Sequence, residues 1–273
     1  MRLIRSLLGL FCLLFASASM VQAESRESIE KFQYKSALEF SQQSIGQQVS
    51  EWKLTSVDGR SFSLAELRGK PWVLSQVYTS CYVICPTTTR HLSTVIEKAR
   101  EALGSDSFAV VTVGFDHRYD SPQAMAEFAK KQGIEDSGWH VLSADEKVIE
   151  GLSREVGFKF FTSPNGFDHV VQATVIDAEG VIYRQVYGEV FSTPLLIEPL
   201  KDLVLDRPKQ NQTMVDELID KVRFFCTSYD PATDSYYFDY SIFVGIIIGL
   251  LIMVTTLLFV FREYLRGGRK SRV

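Results

Sequence analysis

From Ile242 to Phe261 the chain runs for 20 residues without a charged side chain. At about 1.5 Å per helical residue this reaches roughly 30 Å, the hydrocarbon thickness of a bilayer. A segment of this kind belongs either in a membrane or in a buried helical core, and its flanks decide. Tyr236, Tyr237 and Tyr240 precede it, where an interfacial aromatic belt would lie. Arg262, Arg266, Arg269, Lys270 and Arg272 follow it, against a single Glu263. The positive-inside rule therefore predicts a span over 242–261, a basic cytoplasmic tail over 262–273, and Glu24 to Tyr240 on the outer side. The other end reads as a secretory signal over 1–23. Arg2 and Arg5 open it, Leu7–Phe15 is apolar but short for a span, and Val21-Gln22-Ala23 supplies small residues for cleavage. Cys12 leaves with that signal.

This division concentrates charge. Two of the 29 basic residues fall in the signal and five in the tail, against one of the 33 acidic ones, leaving the outer portion at about −10. Such a surface excludes nucleic acid and anionic lipid as partners and leaves a cation or a basic protein. Three cysteines stay in the mature chain, Cys81, Cys85 and Cys226. The outer compartment is oxidising, so a thiol pair there closes into a disulfide unless it is reduced or metallated.

Residues 24–48 are polar and weakly helical and read as an arm. Trp52–Thr55 and Arg60–Phe62 flank the turn signal Asp58-Gly59 and predict a hairpin. Ser63 caps a short helix through Leu67. Strands and helices then alternate: strands over 72–78, 108–115 and 139–142, helices over 87–103, 121–132 and 145–156. Val170–Ile176 and Val181–Tyr187 bracket Asp177-Ala178-Glu179-Gly180 as a hairpin, and 194–204 closes as a helix. The order predicts one α/β domain over 49–206, a mixed central sheet flanked by helices, and resembles the thioredoxin-like arrangement. Residues 207–241 form a juxtamembrane extension.

In such folds chemistry gathers beyond the carboxyl ends of the strands. Cys81 and Cys85 fall there, in Cys-Tyr-Val-Ile-Cys-Pro between the first long strand and its helix. Residues four apart share a helix face, so the two thiols can point the same way. A helix N-terminus favours thiolate, the form that both metal binding and disulfide exchange require. The pair is also compatible with an inert staple. His169 precedes the closing hairpin, in a loop that would pass over the thiols. Two thiolates and an imidazole suit copper, sulfur matching Cu(I) and imidazole Cu(II). Structural zinc would want a fourth ligand, and none is evident. Otherwise His169 is an ordinary hairpin-edge histidine. His91, His117 and His140 are assigned to surface or core.

The Cys-x-x-x-Cys-Pro run, Asp116 followed by Asp120-Ser121-Pro122, and Asp168-His169 before Ile176-Asp177-x-x-Gly180 occur in one order. Over Gly46 to Leu205 this resembles the Sco/SenC family of membrane-tethered copper chaperones. The resemblance implies Cys81, Cys85 and His169 as ligands for copper, Cu(I) or Cu(II), in the 49–206 domain. It implies a role in assembling the binuclear copper site of cytochrome c oxidase, by delivering copper or preparing the oxidase cysteines. The partners would be the copper-receiving oxidase subunit and a thiol reductant protein, and the place a bacterial inner membrane with the domain in the periplasm. Asp116 could orient a ligand or accept a partner contact, or simply cap a strand end. Asp168 could hold the imidazole tautomer, or be a turn residue.

Many relatives are tethered at the N-terminus, whereas this chain is expected to span at its C-terminus. Cys226, near the membrane, could pass copper, pair with another protein or be an inert small hydrophobe. The enzymatic alternative is a thiol-disulfide oxidoreductase with Cys81 as the attacking and Cys85 as the resolving thiol. A peroxidase of the peroxiredoxin type is discounted, since Leu74 and Tyr78 stand where it would carry proline and threonine or serine. A copper-reporting sensor module completes the alternatives.

Overall fold

The computed structural model describes residues 34–134, 138–163, 166–205, 227–230, 233–238 and 240–270. The signal over 1–23, Cys226 and most of 207–241 lie outside the described residues. The chain divides into two units, one through Asp206 and one from Arg207.

The first unit opens with a helix over 34–43 (α1). Lys53–Ser56 (β1) and Ser61–Ser63 (β2) form the expected hairpin, with Leu54 opposite Phe62. Ser63 then caps the 3-10 turn Leu64–Leu67 reciprocally: its hydroxyl accepts from the Ala65 N–H, while the Glu66 carboxylate accepts from the Ser63 N–H. Alternation follows, through Trp72–Val77 (β3), Ile84–Leu103 (α2), Ala109–Gly114 (β4), Pro122–Gln132 (α3), Trp139–Ser143 (β5) and Glu146–Glu155 (α4). Phe160–Ser163 (β6), Gly166–His169 (β7), Gln172–Ile176 (β8), Ile182–Tyr187 (β9) and Pro194–Leu205 (α5) complete the unit.

Seven strands pair in the order β2-β1-β5-β4-β3-β8-β9. β3, β4 and β5 are parallel and the remaining pairings antiparallel, so the sheet is mixed, as expected. β3 and β4 are buried at every position, which is why they read as largely apolar runs, with Ser75, Gln76 and Thr112 also buried, and not as alternation. Helices supply the cover. α2 turns Cys85, Thr89, Leu92, Val95, Ile96 and Ala99 inward at helical spacing, and α4 does so with Ile149 and Leu152. The β3–β4 register runs from Trp72–Ala109 to Val77–Gly114, so both strands end at one level and release their loops side by side.

Three local features differ from the sequence expectation. Part of the 24–48 arm is α1, and polar contacts hold it on β8 and β9: the Ser41 hydroxyl donates to Gln172 Oε1 at 2.9 Å, and the Gln185 amide to Ser44 Oγ at 2.9 Å. Ser41 and, just past the helix, Ser44 are buried beside the small Ala37, so the inward face is mostly polar and gives a periodicity reading little to find. β6 and β7 form their own two-stranded sheet, outside the main one, in a stretch read as connection. α2 begins at Ile84, before the expected Thr87, which places Cys85 inside its first turn.

The second unit contains an antiparallel pair, Thr227–Asp230 (β10) and Ser235–Phe238 (β11), and the helix Ser241–Lys270 (α6). Within α6, Phe243–Arg262 is long and apolar enough to cross a membrane, with mean hydropathy 2.8. The Thr255 and Thr256 hydroxyls donate back to the carbonyls of Leu251 and Ile252, so these two polar side chains are satisfied within the helix.

Candidate metal and thiol site

β3 ends at Val77, and the chain turns at once, with the Cys81 N–H donating to the Tyr78 carbonyl at 3.1 Å. Both cysteines are free thiols, Cys81 half-buried and Cys85 3% exposed. Cys81 precedes the helix, so the pair does not meet as neighbours on one helical face. The loop folds over the start of α2, and the Cys85 N–H donates to Cys81 Sγ at 3.3 Å. That sulfur does the work of a capping side chain, because Val83 at the N-cap offers none.

The two thiols are electrostatically unequal. Burial pushes Cys81 up, but donors outweigh it: the N–H groups of Cys85 and Val83, then the Cys85 thiol and the Tyr78 hydroxyl, hold it below its ordinary value. Burial pushes Cys85 strongly up; a backbone contact with Tyr78 offsets part of this, while negative charge on Cys81 and Asp120 adds to it. Tyr78 itself is pushed up to about 12, by burial first and then by its bond to Cys81. Cys81 is therefore the readier thiolate, and Cys85 keeps its proton.

His169 ends β7, opposite Phe160. Its ring packs on Phe158, Phe115 and Tyr78, with centroids 5.3, 5.5 and 6.3 Å apart. Nδ1 lies 3.1 Å from the Val170 carbonyl, a contact that puts the proton on Nδ1 and leaves the lone pair on Nε2. Burial lowers its pKa, against the Val170 carbonyl and the Asp168 charge, so the ring is neutral and able to ligate. His169 lines a cleft of about 360 Å³ with Tyr34, Ala37, Ile84, Phe167 and Asp168. Thus the imidazole and the first residue of α2 face one cleft. Tyr78 joins the two parts, its hydroxyl bonded to Cys81 and its ring against His169. Among the described residues no three His, Cys, Asp or Glu side chains converge closely enough to hold a metal ion. The structure brings the two thiols together and sets the imidazole beyond the Tyr78 ring.

Asp116 leaves β4 nearly buried, and its side chain lines a second cleft of about 460 Å³ with Ser80, His117, Arg118 and Phe160. Asp168 is exposed. Asp120, not singled out by the sequence as a site residue, is 2% exposed and bonded both to the thiol loop and to the exit of β4. Burial raises its pKa, while bonds from Thr79 and Asp116 oppose the rise. The sequence signal was its place before Ser121-Pro122; its partner Thr79 stands 41 residues away. The other histidines have partners of their own: His91 the Phe191 carbonyl at 2.8 Å, His117 the Glu146 carboxylate at 3.8 Å, and His140 the Phe62 ring at 4.6 Å.

The SCO1/SenC family model matches residues 41–205. The SCO1 protein homolog of Bacillus subtilis strain 168 is 24% identical over 154 residues, covering 55% of this chain and 78% of that protein. A structure from Aquifex aeolicus VF5, named for electron transfer, is 30% identical with TM-score 0.55 and covers 62% of this chain and 98% of that one. Arabidopsis thaliana ScoI, solved with copper bound, is 20% identical with TM-score 0.50 and covers 56% of this chain and 96% of that one.

Proposed function

This chain belongs to the SCO1/SenC family, and on that premise we propose that it is a copper-binding assembly factor for cytochrome c oxidase. Copper is its cargo, held by Cys81, Cys85 and Nε2 of His169. What carries the reading is the donor set: a thiol lowered by backbone donors, a second thiol bonded to it, and a neutral imidazole facing the cleft at the start of α2. Sulfur suits Cu(I) and imidazole suits Cu(II), so such a set tolerates both oxidation states. Completing it requires the β6–β7 hairpin to close on the thiol loop. That hairpin shares no strand pairing with the seven-stranded sheet, which favours movement as a unit. α6 holds the protein in a bacterial inner membrane with the site on the periplasmic side. Copper then passes to the oxidase subunit by ligand exchange, which leaves both thiols reduced, and a thiol reductant protein reopens any pair that the oxidising compartment has closed into a disulfide. Asp116 offers a partner contact from the second cleft, and Asp168 biases the imidazole by its charge.

A second reading rests on the inequality of the thiols. The Cys81 thiolate attacks a substrate disulfide and displaces one sulfur as thiolate. Cys85, on losing its proton, attacks Cys81 and releases the second sulfur. The substrate disulfide is reduced to two thiols, and the Cys81–Cys85 pair is oxidised by two electrons. The test is anaerobic titration of the reduced full chain in detergent with Cu(I), read as copper bound per chain after desalting, and with Cu(II), read by electron paramagnetic resonance. One copper in a mixed sulfur–nitrogen environment is expected, with His169→Ala abolishing Cu(II) binding and sparing thiol exchange. Loss of exchange with copper binding intact would favour the oxidoreductase.

A further inference from the structure

Neither reading uses Asp120, yet its side chain grips the start of the thiol loop through two bonds to Thr79. Its carboxylate is 2% exposed. Oδ1 accepts the Thr79 N–H at 2.8 Å and the Thr79 hydroxyl at 2.7 Å. Oδ2 accepts the Asp116 N–H at 2.9 Å, and the Asp120 N–H returns to the Asp116 carbonyl at 2.8 Å. One carboxylate thus ties the exit of β3 to the exit of β4. Thr79 is two residues before Cys81, and Cys85 is already fixed in the first turn of α2. Between these pins the short stretch Ser80 to Val83, itself held by the Cys81 N–H on the Tyr78 carbonyl, sets where Cys81 Sγ meets the Cys85 N–H. The sequence makes room for the clamp. A Cβ on Gly114, the last residue of β4, would stand 2.5 Å from Cβ of Asp120.

We propose that Asp120 is the positioning residue of the thiol pair, holding Cys81 where the backbone donors at the start of α2 reach its sulfur. The proposal rests on Cys81 and Cys85 being the working thiols. It does not require copper. Asparagine cannot replace the carboxylate, because Thr79 and Asp116 present donors to both oxygens and the amide nitrogen is itself a donor. Glutamate keeps the charge but adds a methylene in the space that Gly114 leaves open.

The test uses the full chain in detergent, reduced and free of metal. Iodoacetamide modification is followed at each cysteine by peptide mass mapping across a pH series. Asp120→Asn and Asp120→Glu are both expected to slow Cys81 at pH 7 about tenfold, the worth of one lost hydrogen bond, and to move its pH midpoint upward. Thr79→Val, which removes only the hydroxyl donor, should slow it by about threefold. Far-UV circular dichroism establishes that each variant is folded, and Thr79→Val carries the test if the Asp120 variants are not. Wild-type rates and midpoints in the folded variants would overturn the proposal. So would a wild-type rate in Asp120→Glu beside a slow Asp120→Asn, since charge and not position would then be at work. Copper takes no part in this measurement, so a wild-type protein that binds none would sink the copper reading and leave the clamp standing.

Discussion

The thiol loop and the β6–β7 hairpin face each other across Tyr78 and are held by different forces. Directed bonds fix the loop: Asp120 to Thr79, Cys81 to Tyr78 and Cys85 to Cys81. Among the described residues the hairpin's strands pair only with each other; beyond one backbone bond from Phe167 to the Tyr78 hydroxyl, it sits mainly on aromatic rings, Phe115 touching Phe158, Phe160 and Phe167 at centroid distances of 5.2, 4.8 and 5.3 Å. Hydrogen bonds fix direction as well as distance, whereas ring contacts leave more latitude in both. On the proposed copper reading, the two sulfurs would sit on the more tightly bonded mount and the nitrogen on the other.

The harshest way to break this contrast is Phe115→Ala. Phe115 is 1% exposed and touches both the core and the hairpin. Its loss should cost about 3–5 kcal/mol in denaturant unfolding and strip hydrogen-exchange protection from β6 and β7. Gly166→Ala sharpens the contrast by striking the hairpin where it meets Tyr78. Gly166 has φ 114, and a Cβ there would stand 2.9 Å from the Tyr78 hydroxyl oxygen. A cost of about 1–3 kcal/mol is expected, with the hairpin loosened and the capping contact from Cys81 to Cys85 retained, as amide exchange at Cys85 would reveal. Equal loss at both places would mean that loop and hairpin are one body.

Acidification probes the hairpin more gently. Burial holds His169 below its ordinary value of 6.5 in the folded chain. The unfolded chain therefore binds the extra proton first, and stability falls as pH drops through that value towards the folded one. The melting-temperature advantage of wild type over His169→Gln should shrink between pH 7.5 and 5.5; an advantage independent of pH would mean a solvated ring. Smallest of all is Tyr82→Ser. Tyr82 is 91% exposed on the thiol loop, so unfolding free energy should stay within about 0.5 kcal/mol of wild type. A larger loss would show the loop leaning on contacts beyond its hydrogen bonds.

The parts legible in the sequence are those whose information is local. β3 and β4 are largely apolar runs, Ser121 and Asp145 accept from the N–H groups of Ala124 and Val148 as N-caps should, and Cys81 and Cys85 are four residues apart. What escaped depends on distant partners. α1 is written in serines whose meaning lies in Gln172 and Gln185, and Asp120 in a threonine of the loop beyond β3. β6 and β7 are too short for a period to register, and their apolar rings answer to Phe115 rather than to one another alone.

The seating of α1 has one more outcome. Greasy helices tolerate small translations, because one methyl group replaces another at little cost. A helix docked through serine hydroxyls and glutamine amides has a single address, since a shift by one residue would strand buried donors without acceptors. Tyr34 and Ala37 ride on that helix and form part of the wall beside His169. The width of the histidine's chamber is therefore dictated from the opposite end of the helix, by amides that never touch it.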